Sequence, residues 1–264
     1  MTTVQNILDF LETLAPGYMK MDWDNVGLLC GSADTEVTKI LVALDPFTHV
    51  CEEAAEVGAQ LLVTHHPLIF HATKSITDQN SLGKSILCLI KNGICAVNAH
   101  TNLDCAPGGV NDTLAAKLGL ADIQVLSPSG ETEIGKPWGL LRCGYVDNTQ
   151  SLDEFLALIK GRLGCTGLRY VDGGKPVRKV AVGGGSCGDC IAEANAAGCD
   201  TFVTADVKYN QFWDAKELGI NLIDAGHFYT ENPVTAVLAE KLQSAFPDIC
   251  VKISEKHSDC MKFY

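Results

Sequence analysis

Residues 39–64 align with residues 179–204 without a gap, at an offset of 140. Lys39 matches Lys179, Val42 matches Val182, Glu53 matches Glu193, Ala54 matches Ala194, Gly58 matches Gly198, and Val63-Thr64 matches Val203-Thr204. The hydrophobic period agrees along the whole match, which marks a repeated structural unit. A chain of 264 residues can bury one large core or two smaller ones. The repeat favours two similar halves.

Each copy reads as strand, helix, strand. In the first, residues 39–44 form a buried strand, Asp45-Pro46 opens a helix that Gly58 stops, and residues 61–64 form the next strand. Residues 81–92 form a second helix stopped by Gly93, and residues 94–98 a third strand ending at His100. Ahead of these, Thr2 and Gln5 form a capping box, and Val4, Ile7, Leu8, Leu11 and Leu14 follow at helical spacing until Pro16-Gly17. Strands alternating with helices imply crossover units, hence an α/β fold with mostly parallel sheets. The polar stretch 127–133 is the best candidate boundary, giving halves 1–127 and 128–264, with the C-terminal segment able to pack back on the first. Beyond it, residues 138–146 read as a strand and residues 151–163 as a helix capped by Ser151 with Glu154.

The candidate chemistry lies at the strand ends. The run Leu61-Leu62-Val63-Thr64 stops in His65-His66-Pro67. Neighbouring side chains of a strand point to opposite faces, so two adjacent histidines can serve one site only where the chain leaves the sheet. Pro67 marks that point. The C-terminal ends of parallel strands are also where α/β proteins place their sites. The next strand ends in His100-Thr-Asn-Leu-Asp104, and its counterpart in the second copy in His227-Phe-Tyr-Thr-Glu231. A single His-x-x-x-acid is an ordinary helical pair. Two at equivalent places in two repeats point to one shared site between the halves. His65, His66, His100, Asp104, His227 and Glu231 are too many ligands for one ordinary transition metal. They suit two divalent ions bridged by Asp104 and Glu231, and the mixed nitrogen and oxygen donors favour Zn, Mn or Fe over Ca or Mg.

Bulk properties narrow the partners. The formal net charge of −12 argues against nucleic acid and anionic membranes. No apolar run reaches the ~18 residues a spanning helix needs, and the first residues lack the pattern of a signal peptide. The twelve cysteines are scattered, several of them inside apolar segments, so free thiols in a reducing cytoplasm are expected. Cys187-Gly-Asp-Cys190 has redox-pair spacing but neither a second pair for zinc nor a thioredoxin-like context.

Other residues carry two readings each. His71 follows the histidine pair and reads as a loop residue ahead of a supporting one, while His49 and His257 read as solvated. Gly183-Gly184-Gly185-Ser186 can bind an anion through its amides or simply pack tightly. Lys208, Tyr209, Phe228 and Tyr229 can hold a phosphate and stack a base, or pack in the core. Trp23-Asp24-Asn25 reads as a turn ahead of a pocket rim.

Trp23-Asp24-Asn25-Val26-Gly27-Leu28, Thr64-His65-His66-Pro67, Ala99-His100-Thr101-Asn102-Leu103-Asp104, Gly183-Gly184-Gly185-Ser186, and Asp224-Ala225-Gly226-His227 with Glu231 together resemble the Ngg-interacting-factor-like family. Its bacterial members include the YbgI type and are named GTP cyclohydrolase I type-two homologs. The resemblance spans nearly the whole chain. It implies two α/β halves, a dinuclear metal centre between them held by the six residues above, and a ring-shaped homohexamer. The inserted middle domain of larger members is missing here. Two positions depart from the family pattern: Cys187 replaces the usual glycine after Gly-Gly-Gly-Ser, and Asn210 replaces the usual histidine after Lys-Tyr. Asn210 cannot fill any acid–base role that this histidine has.

The leading expectation is a cytoplasmic metal-dependent hydrolase acting on a small molecule. A nucleotide opened at C8 of a purine, a phosphoester and an amide-type bond all fit. The rival expectation is a non-catalytic metal-binding regulator, or a metal chaperone that docks on other proteins. An open metal position beside a ligand-sized pocket would favour the enzyme.

Overall fold

The computed structural model describes all of residues 1–264. The first helix, α1 (Val4–Leu14), buries Val4, Ile7 and Leu11, the inward positions of the helical period. Its capping box is one residue later than expected: Thr3, not Thr2, is the N-cap, and Asn6 takes the place of Gln5 by accepting from the Thr3 amide at 2.9 Å. The first strands follow as β1 (Gly27–Cys30) and β2 (Lys39–Ala43). Helix α2 (Thr48–Glu56) starts three residues past the expected Asp45, which leaves Asp45 in the turn above β2. Then come β3 (Leu61–Thr64), α3 (Ser81–Lys91), β4 (Cys95–Asn98) and the short α4 (Thr101–Cys105).

Beyond α4 lie α5 (Val110–Lys117), β5 (Ala121–Leu126), a hairpin of the two-residue strands β6 (Gly130–Glu131) and β7 (Pro137–Trp138), and β8 (Leu141–Gln150), which begins later than the expected residue 138. Helix α6 (Leu152–Leu163) carries the expected Ser151–Glu154 capping box and ends on Gly164 at φ 71°. The chain continues through β9 (Arg169–Val171), β10 (Val177–Val182), α7 (Ile191–Ala196), β11 (Thr201–Thr204), α8 (Tyr209–Leu218), β12 (Asn221–Asp224) and α9 (His227–Glu231). It closes with α10 (Pro233–Ala245) and β13 (Cys250–Ile253). No helix is long and apolar enough to cross a membrane.

Two compact units result: Met1–Leu103 with Thr235–Ser258, and Asp104–Val234 with Asp259–Tyr264. The division does not fall at residue 127. Strands β5 and β8 lie on either side of the polar stretch yet pair with each other, so both belong to the second unit.

The first unit holds a five-stranded sheet in the order β1-β4-β3-β2-β13. Its four strands from β4 to β13 run parallel, and β1 lies antiparallel on the β4 edge. Leu41, Ala43, Leu62 and Ala96 face α2 and α3 in one apolar cluster with Val50, Ala54, Ile86 and Leu89. The C-terminal strand is clamped by Glu53 of α2. Its carboxylate accepts from the Ser254 hydroxyl and from the amides of Glu255 (2.8 Å) and Lys256 (3.3 Å).

The second unit holds a six-stranded sheet in the order β5-β8-β10-β11-β12-β9. Only β10, β11 and β12 are parallel, so the expectation of mostly parallel sheets fails here. The chain between β5 and β8 folds into the β6–β7 hairpin and carries no crossover helix, so β8 returns antiparallel beside β5. Both faces are apolar. Val180, Val182, Val203 and Ile223 pack with Phe155 and Ile159 on one side, while Ala181, Phe202 and Leu222 pack with Ile191 and Ala215 on the other. Such alternation is what a strand buried on both faces requires.

The same local devices recur in the two units. Ile40 pairs with Leu61, and Val180 with Thr201, in parallel ladders. Gln60 accepts from the amides of Thr38 and Lys39, as Asp200 does from Arg178 and Lys179. Lys39 Nζ reaches Val57 O at 2.5 Å, and Lys179 Nζ reaches Ala197 O at 2.7 Å.

Candidate metal centre

In the first unit, three parallel strands deliver their C-terminal exits side by side. Beyond β3, the amides of His65 and His66 still bond to Ala43 O (3.4 Å) and Leu44 O (2.9 Å), so both residues leave the sheet in a fixed register. The Thr64 hydroxyl donates to His66 O at 2.7 Å and tightens the turn before Pro67. His100 stands two residues beyond β4. The ring centroids of His65, His66 and His100 lie 4.9, 5.2 and 5.6 Å apart. One ligand atom from each falls within 4.8 Å of the others.

Each ring is held through Nδ1. His65, fully buried, donates to Ala99 O at 2.9 Å. His66 donates to Asp45 Oδ1 at 2.6 Å, and His100 donates to Asp24 Oδ1 at 2.8 Å. An imidazole that donates through Nδ1 offers Nε2 to a metal, and such partners orient the ring and raise its basicity. Asp24 comes from the turn before β1. The antiparallel pairing Gly27↔Asn98 carries that turn to the exit of β4. Its second oxygen accepts from the Thr101 amide at 3.0 Å and from the Thr101 hydroxyl. Burial works against the Asp24 carboxylate, yet the His100 and Thr101 hydrogen bonds prevail and hold its pKa well below the usual carboxylate range.

In the second unit, His227 opens α9 directly after β12. It donates from Nδ1 to Asp206 Oδ2 at 2.7 Å, and its Nε2 lies 2.9 Å from Glu231 Oε2 one helical turn on. Asp206 follows β11 and adopts φ 52°, a conformation Asp tolerates better than most residues. Asp224 fixes both approaches, accepting from Val207 N at 3.0 Å and Gly226 N at 3.1 Å. Burial alone would lower the pKa of His227, but the Asp206 and Glu231 carboxylates outweigh it and raise the value to about 11. The same ion pair lowers the pKa of Asp206. A metal on this imidazole must displace a proton, so binding is coupled to proton release.

Asp104 is the first residue of the second unit and is 7 % exposed. The fully buried Asn111 donates to Asp104 O at 3.2 Å and to Leu140 O at 2.7 Å. Arg142, 1 % exposed, donates to Cys105 O and Ala106 O at 3.1 Å each. A two-point ion pair with Asp112, at 2.7 and 3.1 Å, balances its charge.

The glycine turn after β10 is a packing device. The amides of its three glycines are already used: Gly183 N donates to Val203 O, Gly184 N to Asn111 Oδ1 and Gly185 N to Thr230 Oγ1, and beyond them Cys187 N donates to Thr204 Oγ1. A Cβ on Gly185, at φ 62°, would come within 2.1 Å of Glu231 Oε1 and 3.1 Å of His227 Nε2. Glycine lets the backbone close on the carboxylate, and the three glycine amides, each already bonded within the protein, do not form an anion nest.

The remaining candidates separate clearly. His71 is exposed, its ring 4.6 Å from that of Phe70, and His49 is exposed on α2. His257 is half-buried, not solvated as expected, and bonds through Nδ1 to Ser254 O at 2.9 Å. Lys208 and Tyr209 start α8, where Tyr209 is 79 % exposed and Asn210 is exposed too. The rings of Phe228 and Tyr229 meet at 5.6 Å on α9. All twelve cysteines are free; Cys187 is buried with its thiol on Gly184 O at 3.3 Å, and burial raises the pKa of both Cys187 and Cys190. The sequence reading missed Asp24, Asp45 and Asp206 as histidine partners. Asp206 gave a signal, since at the offset of 140 it aligns with His66.

The profile of Duf34/NIF3 (NGG1p interacting factor 3) matches residues 2–260. The chain belongs to this family. A NIF3-family relative from Clostridium perfringens, named GTP cyclohydrolase 1 type 2 homolog, is 37 % identical over 262 residues, covering 98 % of this chain and 99 % of its own. The Bacillus cereus protein related to NIF3 superposes with a TM-score of 0.94 at 27 % identity, covering 100 % of this chain and 99 % of the other. A hypothetical protein from Staphylococcus aureus gives a TM-score of 0.91 at 30 % identity, covering 99 % of each chain. The mixed α/β architecture is therefore that of solved NIF3 proteins.

Proposed function

We propose that this NIF3 protein is a metal-dependent hydrolase whose His65, His66, His100, Asp104, His227 and Glu231 together hold two divalent ions, of the Zn, Mn or Fe class. The observation that carries this reading is the anchoring of Nδ1 in all four imidazoles, three of them by Asp45, Asp24 and Asp206. A solvated histidine needs no such partner, whereas a metal ligand nearly always has one. The donor set also fits: imidazole nitrogens with carboxylate oxygens suit these metals better than Ca or Mg. A repeat with its acid and histidine in equivalent places is what a duplicated unit sharing one centre would leave behind.

A bound pair of such ions supplies an activated water near neutral pH. The protein's own part is to orient the ligands. Ala99 O, Asp45, Asp24 and Asp206 fix the rings, while Asn111 and the glycine turn fix the backbone at Asp104 and the space beside Glu231. The substrate in this reading is a small molecule, and the names of curated relatives point to a nucleotide. A homohexamer in a reducing, cytoplasmic setting is part of the same proposal, consistent with twelve free cysteines.

The test is to incubate metal-replete protein with a panel of nucleotides and phosphoesters alongside Asp104→Asn. Turnover by the wild type that the variant loses supports the hydrolase. Wild-type protein that holds metal but turns over nothing points to the regulator or chaperone.

A further inference from the structure

Beside the three imidazoles of the first unit stand two large rings that the fold leaves open. Trp23 is 62 % exposed and Phe70 is 46 % exposed. Their ring centroids are 5.7 Å apart at 56°, and each lies 6.1 Å from the His100 ring. The backbone beneath them is fixed. Asp24 is bound to His100 and Thr101, Asn25 Nδ2 donates to Ile69 O at 2.7 Å, and Asn98 Nδ2 donates to Asn25 O at 3.0 Å. The two stretches that carry the rings are thus tied to each other and to the exit of β4.

Exposed aromatic surface of this size is unfavourable in water. Here it is concentrated in one corner beside the candidate ligands. We propose that Trp23 and Phe70 form a stacking subsite for a planar nitrogen-heteroaromatic ring, whose substituent reaches the His65–His66–His100 cluster. An indole face and a phenyl edge meeting at an angle suit such a ring, which stacks offset on one and packs its edge on the other. Exposed Asn25 and His71, the latter against Phe70, border the corner and can bond ring heteroatoms. Because the corner is preorganised, binding costs little ordering of the protein. The position next to metal-type ligands favours a small molecule over a protein partner, since the occupant must leave those ligands reachable. This inference rests on the metal reading above and adds to it the part of the substrate that is recognised.

The test uses zinc-loaded full-length protein, with GMP and ribose 5-phosphate as probes in calorimetric titrations, and Trp23→Ala, Phe70→Ala and Trp23→Phe as variants. Metal content and sedimentation are measured for each. GMP should bind at least tenfold more tightly than ribose 5-phosphate. Trp23→Ala should weaken GMP by about tenfold to a hundredfold, Phe70→Ala by less, and Trp23→Phe should restore most of the affinity, all with zinc content and oligomeric state unchanged. Equal binding of the two probes, or GMP affinity indifferent to Trp23, overturns the subsite. So does loss of zinc in Trp23→Ala, which would make the ring a support for His100, or a smaller assembly, which would make the corner a subunit contact. GMP binding that depends on Trp23 in protein unable to hold zinc would keep the subsite and remove the metal reading.

Discussion

Asp24 and His100 are joined carboxylate to imidazole at 2.8 Å, and the other Asp24 oxygen caps the first turn of the helix that follows His100. One side chain therefore sets both the ring's orientation and the path of the chain toward Asp104. Asp24→Ala should leave the ring free to turn and to change tautomer, weakening metal binding by about tenfold to a hundredfold. Competition with a chromophoric chelator measures this. Unchanged affinity would mean that Asp24 serves only the turn.

Gly185 separates close packing from backbone preference. Gly185→Ala places a methyl on the Glu231 carboxylate, while Gly58→Ala, at nearly the same φ (67°), meets nothing within 4 Å. The control should lose only the left-handed backbone cost, roughly 1 kcal/mol. Gly185→Ala should lose clearly more stability in urea and should also bind metal less well, because Glu231 must move. Equal losses would show that the turn does not hold the carboxylate in place.

Asn111 uses its side chain at both ends, joining Asp104 O, Leu140 O and Gly184 N in a fully buried position. Asn111→Leu keeps the volume but leaves those groups without their partner, at about 1–3 kcal/mol for each group left unsatisfied. A drop of several kcal/mol in urea-unfolding stability is expected, and a near-neutral result would contradict it.

The ligand candidates stood out in the sequence because one spacing occurs twice. His100 with Asp104 and His227 with Glu231 are each a histidine and an acid four residues apart just past a strand, and His65-His66 ends an apolar run. Their partners were not legible, for physical reasons. Asp24 reads as a turn former, and it meets His100 only because β1 runs antiparallel to β4, a pairing no local pattern encodes. Asp45 before Pro46 looks like the start of a helix, but the helix begins at Thr48 and frees the carboxylate for His66. The division between the units was hidden because β5 and β8 pair across a polar stretch that looks like a linker.

The clamp on the C-terminal strand should make the first unit sensitive to acid. Burial opposes ionisation of Glu53, but the Ser254 hydroxyl and the Glu255 and Lys256 amides prevail and lower its pKa. A lowered folded-state pKa adds stability that is present above the ordinary glutamate value of about 4.3 and is lost as pH falls through the folded-state value. Glu53→Gln should therefore unfold at lower urea than the wild type near neutral pH, with the gap closing in acid. A gap that is constant with pH would assign the effect to packing.

The central claim is that the four anchored imidazoles and two acids serve one pair of ions. Elemental analysis of purified protein, read as ions per chain for the wild type, His100→Ala and Glu231→Gln, tests it most directly. About two ions per wild-type chain, with losses in both variants although His100 lies in the first unit and Glu231 in the second, is the expected result. Fewer than one ion in the wild type, or a full complement in either variant, would contradict it.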